Sequence, residues 1–381
     1  MVTTSRHQAR LKVRDYLEKQ LVSLRAGEPL PPIRTLMRES GASLARLNGI
    51  LDDLEAQGLI ERRPRQGIFK AADLRSGSTL EPFVGRSGGS ATLTIGVILD
   101  SWPHGVNNAY LADLFRYLKR HLRRSPRPCR LVYEFVEAFG EEGGETPRLL
   151  TSPGIDGVIF MPFTRGGLEF LNGWRPASRP VVCFGRELRN DQVPQVYVDH
   201  RLGGAKAAEY LLQLGHRRIC TVSSAMFEGS PDDLRLRGYR QVLERSGVPI
   251  DPNLTVEAEN RYDQVNQRLA RVFDRASSPT AVFVTGGVLM PAVLHALASL
   301  GKTVPADLSL LSYDDTEESR TYHPPITVVR QPLDQAMGVL LNEMLNWIEG
   351  GHDGRRRVML PPELVVRESC APVRETDNAP N

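Results

Sequence analysis

The sequence predicts an α/β fold: a two-lobed body of parallel sheets behind a small N-terminal winged helix-turn-helix domain. Three observations predict it. Over residues 93–372, strand-like apolar runs alternate with helix-length amphipathic segments, the pattern of parallel strands covered by helices. Such a stretch, about 280 residues, exceeds a usual single core, so two similar lobes with a cleft are expected. Residues 1–75 read as three helices and a hairpin and carry a charge of their own, with 14 Lys and Arg against 9 Asp and Glu, +5, where the rest holds 34 against 36, −2. A basic head on a near-neutral body suggests a polyanion partner for the head and another ligand for the body.

The head's elements follow in order. Val13, Tyr16, Leu17, Leu21 and Leu24 share one helical face, and Gly27 and Pro29 stop that helix. Pro31 and Pro32 open a second, with Ile33, Leu36 and Met37 facing inward. Ser40-Gly41-Ala42 makes a turn, and Ser43 caps a third helix that buries Leu47, Ile50, Leu51 and Leu54. Two short strands, Leu59–Arg62 and Gly67–Lys70, flank a basic tip, Arg63 to Gln66. In this arrangement the third helix enters the major groove amino end first. Ser43 would hold a phosphate, and Arg46 and Asn48 would read bases. Arg34, Arg62, Arg63 and Arg65 would hold phosphates or enter the minor groove. The rival reading is a helical dimerisation module with ordinary surface arginines.

Residues 76–92, SGSTLEPFVGRSGGSAT, are rich in Gly and Ser and read as a flexible linker. In the body, strand runs are expected at Leu93–Leu99, Arg130–Val136, Gly157–Phe160, Val181–Phe184, Arg218–Val222, Ala281–Thr285, Leu308–Ser312 and Thr327–Val329. Helices are expected at Ala109–His121, Gly203–Leu214, Leu234–Ser246, Gln264–Ala276 and Leu289–Leu300. Residues 373–381 read as a disordered tail. Leu308 to Pro332 stands out: a strand ending in Asp314 and Asp315, then Pro324-Pro325 and a second β-branched run. Ligands of open α/β sheets sit at the carboxyl ends of strands. Asp315, followed by Thr316 and Glu318, reads equally as a turn cap.

The composition narrows the classes. With 41% hydrophobic and 24% charged residues the chain is globular rather than disordered. The start, MVTTSRHQARLK, has no apolar signal core, so a cytoplasmic protein is expected. Cys129, Cys183, Cys220 and Cys370 are far apart with no CxxC, which favours free reduced thiols over a metal site. P-loop, GxGxxG and HExxH motifs are absent, and the one GxSxG match, Gly85 to Gly89, falls in the Gly- and Ser-rich linker rather than at a strand-to-helix turn, so no enzyme and no cofactor are expected.

Two resemblances sharpen this reading. LPPIRTLMRESGASLARLNGILDDLEAQGLIERRPRQGIFKA is similar to the DNA-binding head of the GntR family, and places Arg34, Ser43, Arg46, Asn48 and Gly67 on DNA-facing positions. Leu44 stands where that family has Arg, and Asn48 replaces another usual Arg, so the implied base code departs from the family's. The body resembles the effector domain of the lactose/galactose-repressor (LacI) family, which has the type 1 periplasmic-binding-protein fold. IGVILD, VDHRLGGAKAAEYLLQLGHRRI, LRLRGYRQVLERSGVP, LSLLSYDDTEESRTYHPPITVVRQP and LPPELVVRESCAP carry the likeness in order. A GntR-type head on a LacI-type body is the arrangement of arabinose-repressor-like hybrid regulators.

The resemblance implies a transcriptional regulator, a repressor, that binds double-stranded operator DNA as a homodimer. A small molecule, a carbohydrate or derivative, would bind between the lobes, with no membrane partner. By family position Arg235, Asp314 and Gln331 fall on effector contacts. The strand-end argument adds Asp100, Arg186 and Thr285, with Trp102 or Tyr110 to stack on a sugar's apolar face. Arg235 has a rival role, pairing with Asp232 or Asp233. Gly286-Gly287 replaces the Asn-Asp usual in that family, which removes two polar anchors and widens the pocket. A transporter's solute-binding protein and, more remotely, an α/β enzyme are the rival functions.

Overall fold

The computed structural model describes residues 13, 16, 17, 20, 24, 27–44, 47, 48, 50, 51, 54, 60–63, 67–70, 92–100, 108–136, 146–175, 179–224, 230–258, 261–274, 278–351 and 356–373. The chain falls into two compact units, residues 1–82 with 131–135, and residues 83–130 with 136–381.

In the first unit, α1 (Ile33–Ser40) starts after Pro32 and stops at Gly41, whose φ of +66° makes a left-handed cap. A third helix opens where the Leu47 N–H donates to the Ser43 carbonyl over 2.9 Å. Leu47, Ile50, Leu51 and Leu54 are buried from it, together with Leu17 and Leu36 from the preceding segments. β1 (Ile60–Arg63) and β2 (Gly67–Lys70) pair antiparallel, Arg63 opposite Gly67. Leu30 N–H bonds to the Ile68 carbonyl over 2.8 Å, which lashes the chain before α1 to this hairpin.

From residue 93 the elements run β3 (Leu93–Asp100), α2 (Asn108–Arg124), β4 (Cys129–Val136), β5 (Gly157–Met161), α3 (Arg165–Gly173), β6 (Val181–Phe184) and β7 (Gln195–Val198). Next come α4 (His200–Gln213), β8 (Ile219–Ser223), α5 (Pro231–Arg245), β9 (Thr255–Glu257), α6 (Tyr262–Phe273), β10 (Ala281–Val284), α7 (Met290–Ser299), β11 (Ser309–Tyr313) and β12 (Thr327–Arg330). The chain closes with α8 (Leu333–Ile348), β13 (Arg357–Leu360) and β14 (Glu363–Val365). Two six-stranded sheets result, ordered β13-β7-β6-β5-β3-β4 and β14-β12-β11-β10-β8-β9.

Each sheet is the floor of one lobe. β3, β5, β6, β8, β10 and β11 are buried along their whole length, as strands covered on both faces must be. In the second sheet Val282 and Val284 face the core under α6 and α7, while Ala281 and Phe283 face the core under α4 and α5. The chain passes between the sheets three times. β7 leads into α4, which packs on the second lobe, and β12 leads into α8, which packs on the first. β13 of the first sheet leads into β14 of the second.

Helices α4 and α5 approach unusually closely, and two glycines allow it. A Cβ on Gly204 would lie 1.8 Å from the Arg235 carbonyl oxygen, and one on Gly238 would lie 1.9 Å from that of Arg201. This contact sets the amino end of α4 beside the middle of α5, where the cleft residues stand. The expected linker, up to residue 91, and the tail beyond 373 lie outside the described residues.

Candidate functional site

The carboxyl ends of the parallel strands of both lobes open on one cavity of about 100 Å³. Tyr110, Phe163, Phe184 and Arg186 line it from the first lobe, and His200, Asp232, Arg235, Gly286, Gly287 and Asp314 from the second. Gln331, on the crossing between β12 and α8, completes the wall.

Arg235 is the centre of the polar side. Its Nη1 donates to the Thr285 carbonyl over 2.6 Å and to Asp232 Oδ1 over 3.2 Å. Its Nε donates to His200 Nδ1 over 3.3 Å. The guanidinium lies 3.7 Å from the centroid of the Tyr313 ring, a cation–π contact. Burial opposes the charge, but the carboxylates of Asp314 and Asp232 more than offset it and hold the pKa above its ordinary value. Asp232 is equally committed: Thr285 Oγ1 donates to its Oδ1 over 3.0 Å, and Ser224 Oγ donates to Oδ2.

His200 is neutral. Burial, and then the charges of Arg235 and Arg186, push its pKa well below the ordinary value. Arginine only donates, so Nδ1 is an acceptor and the proton sits on Nε2. Arg186 is buried, which pulls its pKa down to about 10, so it remains a cation at neutral pH.

Asp314 adopts φ +73°, a left-handed conformation that Asp tolerates better than most residues. Its N–H donates to the Val329 carbonyl over 2.9 Å. Its Oδ1 accepts from Gln331 Nε2 over 2.6 Å, and its Oδ2 from the Gly287 N–H over 3.4 Å. Tyr110, in the first turn of α2, hydrogen-bonds with Gln331, and burial raises its pKa. A second cavity of about 70 Å³ shares Tyr110, Asp314 and Gln331 and continues past Asp113, Tyr117, Arg320 and Arg330.

The expected effector residues thus divide. Tyr110, Arg186, Arg235, Asp314 and Gln331 meet at the cavity. Asp100 and Thr285 stand behind its wall. Asp100 accepts from the Phe163 and Thr164 N–H groups and from Thr164 Oγ1, and so fixes the turn that presents Phe163. Burial pushes the Asp100 pKa up to about 6. Thr285 serves Arg235 and Asp232 rather than the cavity. Trp102 lies outside the described residues. Asp315 is not the turn cap. Thr316 caps the short helix Glu317–Thr321, and Asp315 pairs with Arg367 at 2.7 Å, Arg330 at 3.5 Å and Arg320 at 3.7 Å. These ion pairs anchor the start of the crossing.

Phe163, Phe184, His200 and Asp232 were not singled out as ligand contacts from the sequence. For Asp232 a signal existed: it precedes Arg235 by three residues, one turn along the same helix face. Arginine, two carboxylates and an amide can bracket vicinal hydroxyls, while Phe163 and Phe184 offer apolar faces. Among the described residues no cluster of His, Cys, Asp or Glu has the arrangement of a metal site. No described helix is long and apolar enough to cross a membrane.

In the first unit, Arg34, Ser43 and Gly67 are exposed. Gly67 has φ +120°, a conformation that favours glycine. Asn48 and Arg62 are half-buried, and Arg62 Nη2 donates to the Asn48 carbonyl over 3.5 Å, linking hairpin to third helix. Arg46, Arg65 and the Arg63 side chain lie outside the described residues.

Comparison with known proteins bears on both units. Residues 208–370 match a periplasmic binding protein-like domain, and residues 9–69 match the gntR family of bacterial regulatory proteins. The chain is 30% identical over 222 residues to the HTH-type transcriptional regulator DegA of Bacillus subtilis, covering 58% of this chain and 65% of DegA, just under two thirds of that relative's length. It is 30% identical over 255 residues to the HTH-type transcriptional regulator CelR of Thermobifida fusca, covering 62% of this chain and 71% of CelR. Solved regulators of the LacI family share its fold. A CelR–cellobiose complex superposes with a TM-score of 0.61 at 24% identity, over 86% of this chain and 91% of the other.

Proposed function

The chain belongs to the LacI family of HTH-type transcriptional regulators and carries a gntR-family head, and from that premise we propose that it is a repressor whose grip on operator DNA is set by a carbohydrate or carbohydrate derivative held between its lobes. Its relatives are regulators and not enzymes.

One observation carries the effector reading. Arg235, Asp232, Asp314 and Gln331 gather on one side of a cavity whose other side presents Phe163 and Phe184. A polyhydroxylated ring has the matching faces, hydroxyls at its edge and C–H groups above and below. CelR, captured with cellobiose, supports a sugar as the class. The adjoining second cavity leaves room beyond one ring.

The proposed division is a DNA-binding head over residues 1–75, a linker over 76–92, an effector and dimerisation body over 93–372, and a tail over 373–381. The protein would act in the cytoplasm as a homodimer, two heads reading a roughly palindromic operator. Arg34, Ser43, Arg46, Asn48, Arg62, Arg63, Arg65 and Gly67 would meet the DNA. The effector would change DNA affinity only by the difference between its affinities for two lobe arrangements. A thermal-shift screen of the full chain against sugars and sugar derivatives tests this. A sugar that binds the folded body raises the melting temperature. A panel without effect, beside a rise with another class of metabolite, contradicts the carbohydrate reading.

A further inference from the structure

Leu44 lies in the first turn of the third head helix and is 50% exposed. That helix opens where the Leu47 N–H bonds to the Ser43 carbonyl over 2.9 Å. Leu47, Ile50, Leu51 and Leu54 are all at least 99% buried, so Leu44 stands outside the head's core although it borders it in sequence. A lone exposed leucine is ordinary on a protein surface. The place of this one is not. The amino-terminal turn of the second helix in a helix-turn-helix is the part that meets base edges. Ser43, directly before it, is exposed as well.

Leucine brings no donor and no acceptor to a base edge. Among the major-groove features of the four base pairs, an alkyl group complements one, the C5-methyl group of thymine. An arginine in the same place would select guanine through O6 and N7. We infer that Leu44 reads a thymine methyl in each operator half-site and so sets a thymine preference at one position of the operator. The inference rests on the regulator reading above.

The experiment selects duplexes from a random pool with the full-length protein. Each thymine of a recovered half-site is then replaced in turn by deoxyuridine, which keeps base pairing and O4 and lacks only the methyl. At one position the wild type is expected to lose about fourfold in affinity, the transfer worth of one buried methyl. In Leu44→Ala the same replacement is expected to change affinity little. A repeat selection with Leu44→Arg is expected to return guanine there. A wild type indifferent to every replacement, or equal sensitivity in Leu44→Ala, overturns the inference and leaves the regulator reading standing. A chain that selects no duplex at all overturns the regulator reading, and this inference with it.

Discussion

Gln331 Nε2 donates to Asp314 Oδ1 over 2.6 Å. Asp314 directly follows β11 in the second lobe, and Gln331 begins the crossing to α8 in the first. The next residue, Asp315, is pinned by Arg367 at 2.7 Å. One carboxylate therefore faces the cavity and its neighbour anchors a crossing. On the proposed function, a ligand that competes for Asp314 would act directly on the segment joining the lobes.

Removing the Arg235 side chain leaves Asp232 buried with a charge and without its cation; their side chains are 6% and 8% exposed. Arg235→Ala is expected to cost about 3–5 kcal/mol, the range for breaking one partner out of a buried pair. Asp232→Asn combined with Arg235→Met is expected to recover a large part. Urea unfolding of the three proteins checks this, and a loss in the single variant no larger than in the double would contradict it.

Gly238→Ala is expected to destabilise by about 1–3 kcal/mol, the usual cost of overpacking. Its Cβ would meet the Arg201 carbonyl oxygen at 1.9 Å, which forces α4 and α5 apart. The same movement draws His200 from Arg235, so effector binding should weaken alongside. Thermal melting and calorimetry on one preparation measure both.

Asp100 gives a pH dependence. Its folded-state pKa of about 6 lies above the ordinary 3.8, with burial as the cause. Between those values the native protein holds the extra proton. The stability it contributes is full below 3.8 and is lost as pH rises through about 6. Relative to Asp100→Asn, the wild type should lose stability from pH 4 to pH 7. Parallel curves for the two proteins would remove Asp100 as the source.

Arg34 is exposed on α1. Arg34→Ala is expected to weaken binding to all duplexes alike and to lower the slope of log affinity against log salt by about 1, as loss of one phosphate contact does. Binding isotherms at several salt concentrations read the slope. An altered base preference with an unchanged slope would make Arg34 a base reader.

The sheets were legible because their central strands are buried on both faces. Runs such as Val181–Phe184 and Ala281–Val284 are continuous and apolar, and long motifs flank them. The short strands were less so: β9 and β14 have three residues each, β14 is half exposed, and neither these nor β7 and β13 stand among the expected runs, whereas the eight-residue edge strand β4 does. Helix α8 stands outside the expected helices although Ala336, Met337, Leu340, Leu341 and Met344 repeat with helical spacing after Pro332. In the site, strand ends located the cleft, but distance along the chain hid its inner wiring. His200 and Arg235 are 35 residues apart and meet only because Gly204 and Gly238 let two helices touch. Asp100 and Thr285 follow strands as cleft residues do, yet backbone and side-chain partners turn them into supports.

The most direct measurement is the affinity of the full chain for its selected duplex across an effector titration, in wild type and in Asp314→Asn, which keeps the tolerance for a left-handed backbone and loses the charge. The wild type should shift its DNA affinity by about 5–150-fold, the usual range of coupling. The variant should keep the starting affinity and shift far less. An equal shift in both proteins would place the effector away from Asp314 and contradict a cleft that governs the head.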